Sequence, residues 1–471
     1  MSEFSDMDNA KIKIERKSIE FEDFKKFIIG DRKFDKQYSN IYIARLRALK
    51  NILENKSKEK WGQYQVKTIS QLGDDDNDDK SEAEKLIILI GIIYKHQELK
   101  PSILKELSDE LQLIPQSSRS NYSSEKDQLF LEDEMLRIKL VGNDLNHKEM
   151  VTGLICGVLG YQSSGGTFNV KDYCVPGICP QASECYPLIF PSEEKILILL
   201  LSGLDLSGNP DSLHYQLLSE WISGMAGNNQ VQENSAIIAQ VIIADYLSSL
   251  IGNSIKGSVE TYTHKGYVNS KNKFTAATKE TILATRRFDT LLSEIVSTSN
   301  VILMPGQFDP SNHSIPQQPF HPSILPLSFR RKKNLRYKSL YAATNPWIGK
   351  IGSRILAGSS GQPIEDIMKV ANLNDYSPID WLEKTLNWRH FAPTAPDTLA
   401  AYPYVETDPF IMDECPDIYF VGNTNEYATK CVVGDQRQTI KLICIPKFSK
   451  THTAVVVDLL SLDTWPITFQ N

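Results

Sequence analysis

Apolar residues recur at helical spacing across residues 34–55 (FDKQYSNIYIARLRALKNILEN). Tyr38, Ile41, Tyr42, Arg45, Leu46, Leu49 and Ile52 there predict one amphipathic helix. The residues before about 30 are polar and mixed in charge and read as a flexible tail. The run DDDNDD at Asp74–Asp79 repels itself and reads as a solvated loop. Beyond it the texture turns to β. Lys85–Tyr94 (KLIILIGIIY) is an apolar run with one interior glycine, Gly91, which marks a bulge or tight bend. Pro101–Leu113 reads as a short helix with Ile103, Leu104 and Leu107 along one side. Strands are predicted at Gln128–Leu131, at Met135–Val141, where Leu136, Ile138 and Leu140 alternate, and at Met150–Leu159 and Thr167–Tyr173 around an SSGG turn. Short curved strands with one embedded helix fit an OB-like β-barrel.

From Lys195 onward strand and helix patterns alternate. KILILLL (195–201) is apolar on both faces, as a doubly covered strand must be. A helix over Leu213–Met225 carries the stripe Leu213, Leu217, Trp221 and Met225, and Ile237–Ala244 is the next buried strand. A helix over Ala276–Val296 carries Ile282, Phe288, Leu291, Leu292 and Ile295, ahead of a strand at Val301–Met304. Arg354–Ala357 reads as a strand, and Ser377–Arg389 as a helix with Ser377 as N-cap and Pro378 at its first position. Strands at Asp417–Val421, Thr439–Ile445 and Thr453–Leu459 close the chain. The expected fold is therefore mixed α+β, an OB-like barrel followed by a two-sheet α/β sandwich. The layout is a tail (1–30), a helical segment (31–60), the OB-like domain (61–190) with its acidic loop 74–79, and the sandwich domain (191–471).

Composition narrows the function. In 471 residues, 41% are hydrophobic and 23% charged, which suits two or three globular domains and excludes a mainly disordered chain. No stretch reaches the ~18 uninterrupted apolar residues of a membrane helix, and no membrane partner is expected. The charged N-terminus lacks an apolar signal core, so an intracellular chain is expected. A net charge of −7 argues against a general nucleic-acid-binding surface. Seven cysteines are present; Cys174, Cys179 and Cys185 cluster, but without the paired short spacing of a zinc ribbon, and read as loop and core thiols. No GxxxxGK[ST] phosphate loop and no GxSxG elbow occurs, and none of the eight histidines forms HxH or HExxH.

Ligands of such sheets bind at loops beyond the strand carboxyl ends. Here those loops are Ser202-Gly203-Leu204-Asp205, Asp245-Tyr246, Gly306-Gln307-Phe308-Asp309 and Gly422-Asn423-Thr424-Asn425. Their framing resembles the calcineurin-like metallophosphoesterases, whose active members hold two metal ions with Asp, His and Asn at these places. In this chain those positions are Gly203, Asp205, Tyr246 (with Asp245 one residue away), Gln307, Phe308, Asn423 and Asn425. Phenylalanine cannot ligate a metal and asparagine is a weak neutral ligand, so no metal, no cofactor and no catalytic residue is expected. His390 lies about where an isolated motif histidine would sit and is read as structural.

An OB-like barrel followed by a phosphoesterase domain without its ligands is the architecture of replicative polymerase B-subunits. The chain resembles one family among them, the small (second) subunits of DNA polymerase delta. The resemblance is carried by Phe34–Leu46 (FDKQYSNIYIARL), Leu131–Leu140 (LEDEMLRIKL), Asp172–Cys174 (DYC), Met304–Pro322 (MPGQFDPSNHSIPQQPFHP), Pro393–Tyr402 (PTAPDTLAAY), Thr407–Phe410 (TDPF) and Tyr419–Thr424 (YFVGNT). It implies a non-catalytic scaffold in the nucleus. That scaffold would grip the Cys-rich C-terminal domain of the catalytic subunit and the N-terminal part of a third subunit, which carries sliding-clamp binding. In organisms that have polymerase zeta it would be shared with that enzyme, and DNA would be met only through the complex. Two features stand beside this. Six prolines stiffen the loop from Pro305 to Pro326, which reads either as a cover over the lost site or as an interface with Phe308, Phe320 and Phe329 as anchors. The basic cluster Arg330, Arg331, Lys332, Lys333, Arg336 and Lys338 reads as a nuclear-import signal, a phosphate contact or a solvated loop. The alternatives to a scaffold are an OB-type single-strand DNA binder, for which the barrel strands hold few aromatics, and an active phosphodiesterase.

Overall fold

Apolar residues at alternate positions of one strand show how the first half of the chain is layered. In the computed structural model, Ile88, Ile90 and Ile92 pack outward beneath a helix, while Leu89 and Ile93 point into a barrel. An unbroken apolar run results from covering both faces. The structure describes residues 19–30, 32–74, 86–100, 121–142, 145–163, 165–181, 195–207, 212–225, 238–244, 267–329, 339–371 and 376–469. The helix expected at Pro101–Leu113, residues 75–79 of the acidic run, Asp245, Tyr246 and the basic cluster Arg330–Lys338 lie outside them.

The first elements are strand β1 (Phe21–Asp23), helix α1 (Ser39–Trp61) and strand β2 (Val66–Lys67). Then come β3 (Ile87–His96), β4 (Gln128–Glu132), β5 (Arg137–Val141), β6 (Ile155–Gln162) and β7 (Thr167–Cys174). The last five pair in the order β3-β4-β5-β7-β6, and β6 returns to β3, so the sheet closes. Five strands in this order, with only β5 and β7 parallel among them, make the OB topology. Gly91 sits where β3 bends from β6 toward β4; a Cβ there would lie 2.6 Å from the Glu132 carbonyl oxygen. Helix α1 lies on the barrel's outside, with Leu46, Leu49, Leu53 and Trp61 against Ile88, Ile90, Ile92 and Ile155.

The second half continues with β8 (Leu197–Ser202), α2 (Ser212–Ile222), β9 (Ile238–Ala244), α3 (Tyr267–Thr298) and β10 (Asn300–Met304). Next are β11 (Leu340–Ala342), β12 (Trp347–Ile351), β13 (Arg354–Ser359), α4 (Gln362–Val370) and α5 (Pro378–Asn387). The chain ends with β14 (Ile418–Thr424), β15 (Ala428–Val433), β16 (Thr439–Pro446), α6 (Phe448–Thr451), β17 (Thr453–Asp458) and β18 (Thr464–Thr468). Two six-stranded sheets form, β1-β12-β13-β14-β16-β15 and β11-β10-β9-β8-β17-β18. Ile198, Leu200, Ile302, Trp347, Phe420, Ile443 and Val455 fill the space between them. Leu197, Leu199 and Leu201 face the other way, onto α2 and α3. Both faces of β8 are thus buried, as its apolar run requires. Ser377 heads α5 as expected, its N–H donating to the Asp380 carboxylate at 3.0 Å.

Three expectations are corrected. The tail reading fails for residues 19–30: Phe21–Asp23 pairs antiparallel with β12, and Phe27 is 1% exposed against Phe391 and Phe410. Isolated phenylalanines amid charges give no periodic signal, so only the partner strand reveals this segment. The stripe Leu213–Leu217–Trp221–Met225 holds only in its middle, where Leu217 packs partly buried against the core and Trp221 is buried, and Met225 lies beyond the end of α2. Leu213 and Met225 are exposed, and Tyr215, Leu218, Trp221 and Ile222 are buried. Repeated four-residue steps drift, and twelve residues turn the helix about 120° past whole turns. Ile282 of α3 is likewise exposed, about 240° around the helix from the buried Phe288.

Candidate functional site

The sandwich loops bring Gly203 and Asn423 together. Gly203 has φ +61, and a Cβ there would stand 2.5 Å from Asn423 Oδ1 and 3.1 Å from Lys447 Cα. An aspartate at this position would need both the strained backbone and space already filled. Asn423 is itself left-handed, with φ 59, a conformation that asparagine tolerates. Its backbone N–H donates to Ser202 Oγ at 3.0 Å and its Nδ2 donates to the Ser360 carbonyl at 2.8 Å. Asp205 accepts the Ser207 hydroxyl at 2.7 Å. Gln307 and Phe308 are half-buried and Asn425 is exposed. Asp309 turns back to accept the Gly306 N–H at 2.7 Å. Among the described residues no group of three or more His, Cys, Asp or Glu side chains is arranged to hold a metal ion.

The proline-rich loop is tied inward by its two glutamines. Gln317 Nε2 donates to the Gly306 carbonyl at 2.7 Å, and Gln317 Oε1 accepts from Asn345 Nδ2 at 2.8 Å and Gln362 Nε2 at 2.9 Å. Gln318 Nε2 donates to the Phe27 carbonyl at 3.0 Å and its Oε1 accepts the Ile29 N–H at 3.0 Å. Both side chains are buried, so these bonds satisfy groups that water cannot reach. Of the three expected anchors, Phe320 is 3% exposed within the chain's own core and Phe329 packs partly buried against the same core. Core filling rather than a free surface accounts for Phe320.

The strongest polar constellation lies where the barrel meets the sandwich. Arg45 of α1 is fully buried and its Nε donates to Asp408 Oδ2 at 2.6 Å. Its Nη1 reaches the Gly153 carbonyl at 2.9 Å and the Pro393 carbonyl at 2.8 Å, and its Nη2 the Ala395 carbonyl at 2.8 Å. One guanidinium thereby joins α1, the barrel and two loops of the sandwich domain. His390 Nδ1 accepts the Ala392 N–H at 3.1 Å, which leaves the ring proton on Nε2 to donate to Asp408 Oδ2 at 2.9 Å. Burial opposes charge on Asp408, yet Arg45 and then His390 hold its carboxyl well below the usual carboxylate range. Burial, with Arg45 next, pushes the His390 imidazole down to about 4. A second buried tie runs from β3 to the end of α4. Lys95 Nζ donates to the Val370 carbonyl at 3.1 Å, with Asp127 at 3.5 Å, and burial lowers the lysine's affinity for its proton.

The residues around Arg45 come from stretches that look unrelated in sequence. Arg45 lies in FDKQYSNIYIARL and Asp408 in TDPF. In PTAPDT, Pro393 and Ala395 accept from Arg45, and Thr394 and Thr398 both donate to the buried Asp366 at 2.5 Å. Asp397 of the same stretch pairs with Lys100 at 2.5 Å. Sequence reasoning missed this cluster. Its one signal is an arginine inside the apolar stripe of a predicted helix, which is costly unless paired.

The family model for the DNA polymerase delta subunit OB-fold domain matches residues 37–173, which hold the barrel and α1. The model for the B-subunit of DNA polymerases alpha and epsilon matches residues 198–430. The chain is 35% identical over 445 residues to DNA polymerase delta subunit 2 of Drosophila melanogaster, covering 94% of this chain and 95% of that protein. This chain belongs to the DNA polymerase delta small-subunit family. It is similarly 34% identical over 436 residues to the DNA polymerase delta small subunit of Arabidopsis thaliana (92% and 91% covered). It is 30% identical over 466 residues to that of Saccharomyces cerevisiae (92% and 89% covered). In this delta small-subunit chain, the OB barrel and the two-sheet sandwich are joined through Arg45 and Lys95.

Proposed function

We propose that this chain is a non-catalytic accessory subunit of DNA polymerase delta that acts as a scaffold in the nucleus. Its partners are the Cys-rich C-terminal domain of the catalytic subunit and a third subunit that leads to the sliding clamp, with polymerase zeta's catalytic subunit as a further partner. The observation that carries this reading is the pairing of Gly203 with Asn423. It supports the reading because a Cβ at Gly203 would meet Asn423, which disfavours an aspartate there, while the family's distinctive stretches are used to hold two domains in one arrangement. Phe308, half-buried on the proline-rich loop, is a contact we assign to a partner.

Tagging the chain and purifying it from nuclear extract in moderate salt is expected to yield a stoichiometric polymerase catalytic chain. Recovery of the chain alone, or only with nuclease-sensitive nucleic acid, would overturn the scaffold. Manganese-dependent phosphodiesterase turnover that vanished in Asp205→Ala would restore the enzyme reading. A single-strand binder needs free aromatic faces. Here Arg137 stacks over Tyr94 at 4.7 Å and Phe130 at 5.6 Å while pairing with Glu132, so a gel shift of the isolated chain is expected to be weak.

The cluster Arg330, Arg331, Lys332, Lys333, Arg336 and Lys338 is assigned to local phosphate contact within the assembled enzyme. Neutralising all six is expected to weaken DNA association and flatten its salt dependence. An unchanged salt slope would remove that assignment.

A further inference from the structure

Strand β15 ends its sheet and pairs, among the described residues, with β16 alone. Just beyond the strand the Gly434 N–H donates to the Gln438 carbonyl at 2.9 Å, and the Lys441 N–H turns away from Cys431 to the Asp417 carbonyl at 2.8 Å. Bonding alternates along an antiparallel pair. Ala428, Lys430 and Val432 therefore bond to β16, while Thr429, Cys431 and Val433 direct their N–H and C=O groups outward. No described residue bonds to those outward groups. The other ends of the two sandwich sheets are guarded. β1 and β11 have three residues each, and β18 carries Pro466 at its centre. Short strands and edge prolines refuse an added strand. β15 runs six residues in unbroken register without a proline.

A groove of about 740 Å³ begins at the Val433 end of this edge, where the barrel meets the sandwich. Its other walls are the last turns of α1, the end of β7 and α5. Val433 is 66% exposed and Cys431 is exposed, so the edge offers apolar surface as well as backbone. The charges of the groove do not balance. Asp172 pairs with Lys60 at 2.8 Å, Asp435 with Lys56, and Glu383 with Lys430 at 2.6 Å. Glu59, in the same two turns of α1 as Lys56 and Lys60, makes no ion pair among the described residues. One carboxylate is left over, which a cation from outside would answer.

We propose that β15 and its groove form a docking site for an extended, basic segment of a partner protein. The segment adds to the sheet as a further strand, ~4.8 Å beyond β15. Its backbone bonds to Thr429, Cys431 and Val433, and those bonds supply the affinity. A lysine or arginine past the Val433 end reaches Glu59, and this contact selects basic over acidic segments. A second copy of β15 fits less well, because its one cation, Lys430, is already held by Glu383 and Asp380. The site rests on the chain's own edge and charge and not on the accessory-subunit reading, so either can fail alone.

The probe is a short fluorescein-labelled peptide that alternates threonine and valine, with an arginine at each end. Its controls carry glutamate in place of arginine, or methyl groups on alternate backbone nitrogens. Titrated with the folded full chain, the arginine peptide is expected to gain anisotropy to saturation and to slow hydrogen exchange across Thr429–Val433. Glu59→Gln is expected to weaken it about threefold, as an exposed ion pair allows, and to shrink its advantage over the glutamate peptide. Cys431→Pro removes the outward N–H at the centre of the edge and spares the bonds to β16, so affinity is expected to fall roughly tenfold. The methylated peptide is expected not to bind, and it decides alone if Cys431→Pro fails to fold. Equal binding of methylated and unmethylated peptides would overturn the site, as would no binding of the arginine peptide or unchanged exchange in β15. A preference for arginine that survives Glu59→Gln would remove the basic occupant. Slowed exchange that appears without peptide as the chain is concentrated would give the edge to a second copy instead.

Discussion

Replacing Arg45 with methionine is expected to destabilise the chain by about 3–5 kcal/mol, because it leaves a buried carboxylate without its partner. Asp408 has no route to water, and the carbonyls of Gly153, Pro393 and Ala395 lose their donor at the same time. Methionine keeps most of the volume, so cavity formation is a minor part of the effect. For a chain this long, the loss corresponds to a drop of roughly 3–5 °C in melting temperature if unfolding stays concerted. Arg45 joins domains, so a second signature is expected: the barrel and the sandwich should unfold in separate steps. Calorimetry and urea titration followed by two probes read both. The double variant Arg45→Met/Asp408→Leu should cost less than the sum of the singles, since neither charge then stays buried alone. An unshifted single transition in Arg45→Met would remove the tie from the account.

Acid is expected to weaken the same junction earlier than carboxylate protonation would. The His390 ring is held down to about 4, against about 6.5 in an unfolded chain. Between those values the unfolded chain binds a proton that the folded chain refuses, so stability falls as pH drops from about 6.5 toward 4. The full loss is on the order of 3 kcal/mol. Asp408 adds a later loss. Its carboxyl is depressed in the folded state, so its contribution is complete above about 3.9 and disappears as pH falls further. His390→Gln keeps an N–H donor for Asp408 but cannot titrate. Its urea midpoint should be nearly level from pH 6.5 to about 4.5, while the wild type's declines. Parallel decline in the two proteins would place the acid sensitivity elsewhere.

Much of this fold is legible in the residues alone. The runs IILIGII in β3 and LILLL in β8 are apolar on both faces, and only strands covered on both sides are built that way. The bend at Gly91, the Ser377 cap and the OB-then-sandwich order follow from local rules. Local rules fail where a residue's role is set by a partner far along the chain. Phe21–Asp23 is a strand only because β12 offers an edge, and α2 faces inward along Tyr215, Leu218 and Ile222 because the sheet lies there. The buried tie is the clearest case. Arg45, Gly153, His390, Pro393 and Asp408 carry no common pattern in sequence, and the contact of Gly203 with Asn423 depends on loops from β8 and β14 meeting. Sequence by itself determined which runs must be covered on both faces, as in β3 and β8, because an unbroken apolar run leaves neither face fit for water. Tertiary structure decided which polar groups satisfy one another, because a hydrogen bond requires its two atoms within about 3 Å and no sequence spacing supplies that distance.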